Sequence, residues 1–321
     1  MENNEIFIQD NEKEELEQDV LEFVVPEANE NQRIDKYLSE CMSESSRSYI
    51  QKLIKEGNVT MDGKAVKANY KLSEGDVVLV RIPEPEQLNI LPENIPLDIL
   101  YEDSDIIVIN KGKGMVVHPA AGHYTGTIVN GLLYHCKDQL SGINGVMRPG
   151  IVHRIDMNTT GVIVICKNDK AHNFIAAQLK EHSITREYHA IVYNHFSETE
   201  GKVDAPIGRH PVERKKMAIN YKNGKHAVTH YQVIKNLKQN FAYVKCRLET
   251  GRTHQIRVHM ASIQHPLLGD DVYGPKKSNY QLQGQTLHAK TLGFVHPSTN
   301  QYVEFEAPLP DYFADLLRKL S

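Results

Sequence analysis

The sequence predicts an α+β fold in two folded parts: a small αβ module, then a larger domain built on a mixed, largely antiparallel sheet flanked by helices. Three observations predict it. From about Leu97 to Pro310, short β-rich runs recur without the regular strand–helix–strand alternation of a parallel α/β sheet. Residues 31–82 open with helical apolar spacing and close in strand-like runs. Between the two, residues 83–96 hold Pro83, Pro85, Pro92 and Pro96 among polar neighbours, the composition of a semi-rigid linker. A chain of 321 residues is long enough for about two domains, one with a full core.

Residues 1–20 are acidic and carry almost no apolar period, which predicts a disordered tail. In 21–82, Ile34, Tyr37, Leu38 and Cys41 recur at spacings of three and four and give one helix its apolar face. Ser45 or Ser46 can cap a second helix with Tyr49, Ile50, Leu53 and Ile54 on its apolar side, and Gly57 supplies the stop. Val59 and Met61, an Asp62-Gly63 turn, and the run Val77–Ile82 read as short strands. In 97–321, strands are predicted at Ile106–Ile109, Ile151–His153, Val162–Cys166, Tyr188–Tyr193, Val228–Ile234, Ala242–Leu248 and Tyr302–Phe305. Helices are predicted at Thr127–Cys136, Lys170–Glu181 and Thr253–Ile263.

Composition narrows the function classes. The longest apolar runs are far too short to cross a bilayer, and the acidic N-terminus lacks the basic-then-apolar pattern of a secretory signal. Cys41, Cys136, Cys166 and Cys246 lie far apart with no Cys-x-x-Cys pair, which argues against a zinc site and against a disulfide framework. A cytoplasmic location and a monomer with no metal are expected. The formal net charge of −4 hides an asymmetry: residues 1–30 hold eleven acidic residues and one lysine, which leaves about +6 for the rest. A mildly basic body permits a polyanionic partner without requiring one.

The segment Gly150-Ile151-Val152-His153-Arg154-Ile155-Asp156-Met157-Asn158-Thr159-Thr160-Gly161 sets one carboxylate on a polar turn between two apolar runs, at the rim of a sheet. A calcium loop beginning at Asp156 fails, because Lys167 stands where its bidentate glutamate belongs. An aspartyl-phosphate site would want a second aspartate at Asn158, and no Gly-x-Ser-x-Gly elbow occurs. An aspartate that merely fixes its own turn is the alternative.

Two resemblances bear on that choice. Arg33-Ile34-Asp35-Lys36-Tyr37-Leu38, Ser46-Arg47-Ser48, Gly57-Asn58-Val59, Asp62-Gly63 and Gly75-Asp76 resemble the S4-type RNA-binding domain. That resemblance implies that Arg47, Lys52, Lys55, Lys64 and Lys67 offer charge to RNA phosphates, although a merely solvated charged face is the alternative for each. His153-Arg154-Ile155-Asp156 through Gly161 resembles the His-Arg-Leu-Asp-x-x-Thr-Ser-Gly signature of RluA/RluD-type pseudouridine synthases, with Ile155 for leucine and Thr160 for serine. Asn110-Lys111, Gly114–Pro119, Arg186-Glu187-Tyr188, Gly251–His259, His265–Asp270 with Tyr273-Gly274, His288-Ala289 and Phe305–Pro310 match further blocks in order, with Gly112 where proline is typical.

The resemblance implies isomerisation of uridine to pseudouridine in structured RNA, with large-subunit ribosomal RNA as the substrate class and no cofactor. Asp156 is then the catalytic group on a nucleotide extruded from the stack, as nucleophile or as base. Tyr188 would stack on the uracil, Arg257 would pair with Asp156, and Arg154 would help to displace the base. His153, Arg252 and His254 are candidates for RNA contact or loop support. A non-catalytic RNA-binding factor would be expected to lack Asp156, Tyr188 or Arg257, and a glycosidase usually asks for two cooperating carboxylates.

Overall fold

A computed structural model describes residues 20–42, 47–82, 90–120, 123–137, 139–143, 148–213, 216–275 and 280–321. Residues 1–19 of the acidic tail, the caps expected at Ser45 and Ser46, and residues 83–89 lie outside that set. The chain divides into two compact units between Gln87 and Leu88.

The first unit runs β1 (Val20–Val24), α1 (Ile34–Cys41), α2 (Arg47–Lys55), β2 (Val59–Met61), β3 (Lys64–Ala65) and β4 (Val77–Arg81). Its strands form an antiparallel sheet in the order β1-β4-β2-β3. The two helices bury Ile34, Leu38, Ile50 and Leu53 against Val59, Val78 and Val80, so the expected apolar faces do meet. Asp62 and Gly63 both take positive φ and close the β2–β3 hairpin, as the Asp-Gly pair predicts. Val20, placed in the tail by composition, instead begins β1 and pairs with Arg81.

The second unit contains β5 (Ile99–Glu102), β6 (Ile106–Lys111), α3 (Ile128–Cys136), β7 (Thr160–Cys166), α4 (Asp169–Lys180), β8 (Thr185–Tyr193), β9 (Glu200–Asp204), β10 (Ile207–Arg209), β11 (Met217–Ile219), β12 (Val228–Leu237), β13 (Phe241–Leu248), α5 (Gln255–Ser262), β14 (Leu287–Val295), β15 (Tyr302–Glu306) and α6 (Asp311–Leu320). Its large sheet has the order β5-β6-β7-β14-β8-β13-β12-β9, with β15 added to the far half of β14. Among the described residues β7–β14 is its one parallel pairing, limited to His288↔Thr160 and Ala289↔Gly161. The sheet forks there, because β14 continues with β15 on that side. Gly161 has φ +109°, and a Cβ on it would lie 2.1 Å from the carbonyl oxygen of Ala289. Only glycine lets the two backbones meet at the fork.

Three expectations need correction. Residues 90–96 are not free linker: Ile90 is buried, the Asn130 side chain donates to the Leu91 carbonyl, and Ile95 and Leu97 pack over Gly131 on α3. Residues 151–153 form no strand beyond a single bridge from Ile151 to Ile165. Gly150 turns at φ +70°, and His153 Nε2 accepts the Val164 N–H that a neighbouring strand would have taken. Helix α5 begins at Gln255 with His254 at its cap in the left-handed region (φ 56°), two residues after the start expected at Thr253.

Candidate active site

The loop from Gly150 to Thr159 enters β7 at the fork, and it is tied down from several sides. Lys111, 1% exposed at the end of β6, donates to the carbonyls of Gly112, Met115 and Met157 at 2.8–2.9 Å. Three acceptors match the three N–H bonds of an ammonium ion. Burial pulls this lysine down to about 7, against the upward pull of the Asp156 charge. The Gly114 N–H also reaches the Met157 carbonyl, at 3.0 Å. Gln285 donates to Thr159 Oγ1, and Thr160 Oγ1 lies 2.8 Å from Nδ1 of buried His288. A carboxylate on so constrained a loop has little freedom of direction.

Asp156 faces a cavity of about 520 Å³ bounded by its own loop, the end of α4, β8 and the start of α5. Arg257 NH1 donates to Asp156 Oδ2 at 3.0 Å. The same guanidinium grips Asp270 with two bonds, Nε to Oδ2 at 2.7 Å and NH2 to Oδ1 at 2.9 Å. Asp270 also accepts the backbone N–H of Val272 and of Tyr273. The fork of Arg257 therefore grips Asp270, while Asp156 receives one bond and keeps its other oxygen free of any hydrogen bond among the described residues. Burial works against the Arg257 charge, but the bonds and charge of Asp270, then Asp156, outweigh it and raise its pKa. Arg257 is a fixed cation here.

His254 stands beside this pair. Its Nε2 is 3.9 Å from Asp156 Oδ2 and its Nδ1 is 2.8 Å from the Tyr273 hydroxyl. That hydroxyl also accepts the Met217 N–H, which ties His254 to β11. Burial lowers the His254 pKa, with the Asp156 charge opposing. Tyr188 lines the cavity from β8, its pKa raised by burial, with Arg186 opposing and Asp156 adding to the rise. It is a protonated phenol with a ring available to a ligand.

The structure thus brings Asp156, Tyr188, Arg257, Arg154, His153, Arg252 and His254 to one cavity. Their surroundings differ. Arg154 is exposed at its edge. Arg252 donates from Nε to the His226 carbonyl. His153 is a neutral acceptor rather than a cation, held near 3 by burial and by the nearby Arg186 charge. Arg47, Lys52, Lys55, Lys64 and Lys67 are exposed and belong to the first unit. Arg47 also donates from Nε and NH2 to Asp35. Sequence reasoning assigned no role to Asp270, Lys111, Arg186, Tyr273, Lys180 or His182. Asp270, Lys111, Arg186 and Tyr273 stand inside the matched blocks, which is the available signal.

Among the lining residues, Arg154, Lys180, Arg186, Arg252 and Arg257 are cationic and Asp156 is the one carboxylate. Such a cavity suits an anionic ligand and offers it a single carboxylate as a reactive group. No described helix is long and apolar enough to cross a membrane.

A family model described as RNA pseudouridylate synthase matches residues 105–262, and one described as the S4 domain matches residues 32–78. The chain is 52% identical over 300 residues to a Bacillus subtilis (strain 168) protein named uncharacterized RNA pseudouridine synthase YlyB, covering 94% of this chain and 98% of that one. It is 49% identical over 298 residues to the ribosomal large subunit pseudouridine synthase D of Zymomonas mobilis, covering 90% and 93%. Among solved structures, human RNA pseudouridylate synthase domain containing 1 aligns with a TM-score of 0.54 at 25% identity, over 70% of this chain and 86% of that one. Relatives this similar over nearly the whole length, with both family models on the two folded units, establish that this chain belongs to the RNA pseudouridine synthases, isomerases of uridine in RNA, and carries an S4 domain.

Proposed function

We propose that this enzyme modifies uridine in large-subunit ribosomal RNA, and that Asp156 acts on a nucleotide flipped out of the stack into the cavity. The observation that carries the assignment is the half-satisfied Asp156: a carboxylate on a clamped loop, held by one bond from a fixed guanidinium, with an oxygen open to a cationic cavity. The substrate class rests on the relatives named as large-subunit enzymes.

Pseudouridylation breaks the bond from ribose C1′ to uracil N1, turns the base, joins C1′ to C5, removes the C5 proton and returns a proton to N1. It has no net redox change and consumes no nucleotide. A stacked base hides these atoms, so extrusion must come first. Attack on the sugar and removal of a ribose proton both need a carboxylate at the cavity wall, and Asp156 supplies one by either route. Arg257 keeps it aimed through the bond from NH1. Tyr188 offers the face on which a base gains about 1–3 kcal/mol by stacking. Arg154, at the cavity edge, is placed to fill the gap left in the helix. The exposed cations of the S4 unit position RNA through its phosphates. We assign the protein to the cytoplasm and to a monomeric state on composition alone.

The test is pseudouridine mapping of total RNA from cells with the wild type, a deletion, or Asp156→Asn. Sites in large-subunit RNA that vanish in both mutants support the reading. Sites that the deletion loses and Asp156→Asn keeps would remove Asp156 from the chemistry, and losses confined to other RNAs would overturn the substrate.

A further inference from the structure

Two arginines are buried at this cavity, and they are treated differently. Arg257 has two carboxylates. Arg186, 7% exposed on β8, has none among the described residues. Its NH2 donates to the Glu249 carbonyl at 2.8 Å, and its Nε is buried with no hydrogen-bond partner.

A buried guanidinium without a counter-ion is costly, since its lost hydration is not returned by a partner. The fold nevertheless makes room for it. A Cβ at Gly251 would sit 2.6 Å from Arg186 NH1, so glycine at 251 is what allows the guanidinium to lie over the turn between β13 and α5. The blocks around Arg186 and Gly251 are therefore one piece of construction. Arg186 and Tyr188 also share a strand face, two residues or about 6.6 Å apart, and both line the cavity. Burial pulls the arginine pKa down, with Tyr188 opposing and Arg252 adding to the fall, as expected of a cation that lacks its anion.

We infer that Arg186 is a substrate-positioning residue that binds a phosphodiester flanking the target uridine, supplying the anion that the protein itself withholds. This rests on the reading of the cavity as the uridine site. Uracil and ribose are neutral, so within the extruded nucleotide the phosphodiester is the group that compensates a full positive charge, and a guanidinium fork matches its paired oxygens. The arrangement also favours order of events: the backbone anion docks beside the place where the base stacks, before Asp156 acts.

The test is a double-perturbation cycle on the large-subunit RNA fragment in which the wild type forms pseudouridine. The linkage 5′ or 3′ to the target uridine is replaced by a neutral methylphosphonate, and kcat/KM is measured for wild type and Arg186→Met. With native RNA, Arg186→Met is expected to lose roughly 10- to 100-fold, the scale of one charged hydrogen-bonded contact. Neutralising the contacted linkage should cost the wild type a similar factor, and Arg186→Met little more. Full multiplication of the two losses at both linkages would overturn the assignment, since a merely structural arginine does not sense the charge of one phosphate. If Arg186→Met melts early, the neutral and polar Arg186→Gln takes its place in the same cycle, and the same failure of the two losses to multiply is expected. A wild type that modifies no large-subunit fragment refutes the functional reading instead, so the two failures are distinct.

Discussion

Asp35 in the first unit and Asp156 in the second are both aspartates held by arginine, and their difference separates a structural carboxylate from a reactive one. Asp35 is fully buried and accepts from Arg33, Arg47 and Gln51 together. Burial alone would raise its pKa, but these three partners outweigh it and hold the carboxyl below its ordinary value. It locks the start of α1 to α2. Asp156 is one-fifth exposed, with one bond from Arg257 and an oxygen facing the cavity. Every lone pair given to structure is one less for chemistry, so saturation marks the scaffold and deficit marks the site.

The comparison is broken most sharply by exchanging the same atom at both places. Asp156→Asn should lower kcat/KM by at least about 10³-fold, within the range for losing an essential catalytic group. It should leave the melting temperature close to wild type, because it removes one bond at a partly open position. Asp35→Asn should show the reverse: measurable turnover, with a stability loss of about 1–3 kcal/mol. The figure stays modest because Arg33 and Arg47 are about half exposed and water can recover them. Urea denaturation beside single-turnover assays decides it. An inactive but fully stable Asp35→Asn would sink the distinction.

Asp270 tests the link between scaffold and site, for it is saturated like Asp35 and touches the guanidinium that aims Asp156. Asp270→Asn sets an amide N–H against the Arg257 fork and leaves a buried cation half-compensated. The expected cost is about 3–5 kcal/mol, since both partners are buried. Activity should fall mainly through kcat, as Asp156 loses its fixed direction. A variant that denatures like wild type would show that the Asp270–Arg257 pair carries no load.

How much of this was legible in the sequence depended on whether the signal was local. The strands at 106–109, 162–166, 188–193 and 242–248 and the helix at 128–136 are legible as local apolar runs, which are neighbour effects. The blocks around Asp156, Tyr188 and Arg257 were readable as ordered motifs, and the fold brings them to one cavity. Arg257's double grip on Asp270 was not readable, since thirteen residues and a loop separate them. Lys111 reads as surface in any sequence because lysine is rarely buried, and only the fold supplies its three carbonyls. The strand expected at 151–153 failed because His153 replaces a ladder partner with a ring nitrogen. The helix α6 was overlooked although Phe313, Leu316 and Leu320 stand at helical spacing and are buried.

The last test concerns a histidine on the scaffold side of the comparison. His288 is fully buried, with Nδ1 against Thr160 Oγ1 and Nε2 toward the Ala307 carbonyl. That carbonyl fixes the ring proton on Nε2, and Nδ1 accepts the threonine hydrogen. Burial, partly opposed by Ala307, holds the ring pKa near 4, well below the ordinary histidine value near 6.5. The sign follows: as pH falls below about 6.5 the unfolded chain takes up this proton first, so stability present at neutral pH drains away until about pH 4. The slope is about 1.4 kcal/mol per pH unit for one such group. His288→Gln keeps a donor and an acceptor but does not titrate. Its urea midpoint should therefore fall less steeply between pH 6.5 and 4 than the wild type's. Equal slopes would mean that His288 is charged in the fold. In that case the threonine at the head of β7 would be anchored by a cation, and the scaffold around Asp156 would be less neutral than its hydrogen bonds indicate.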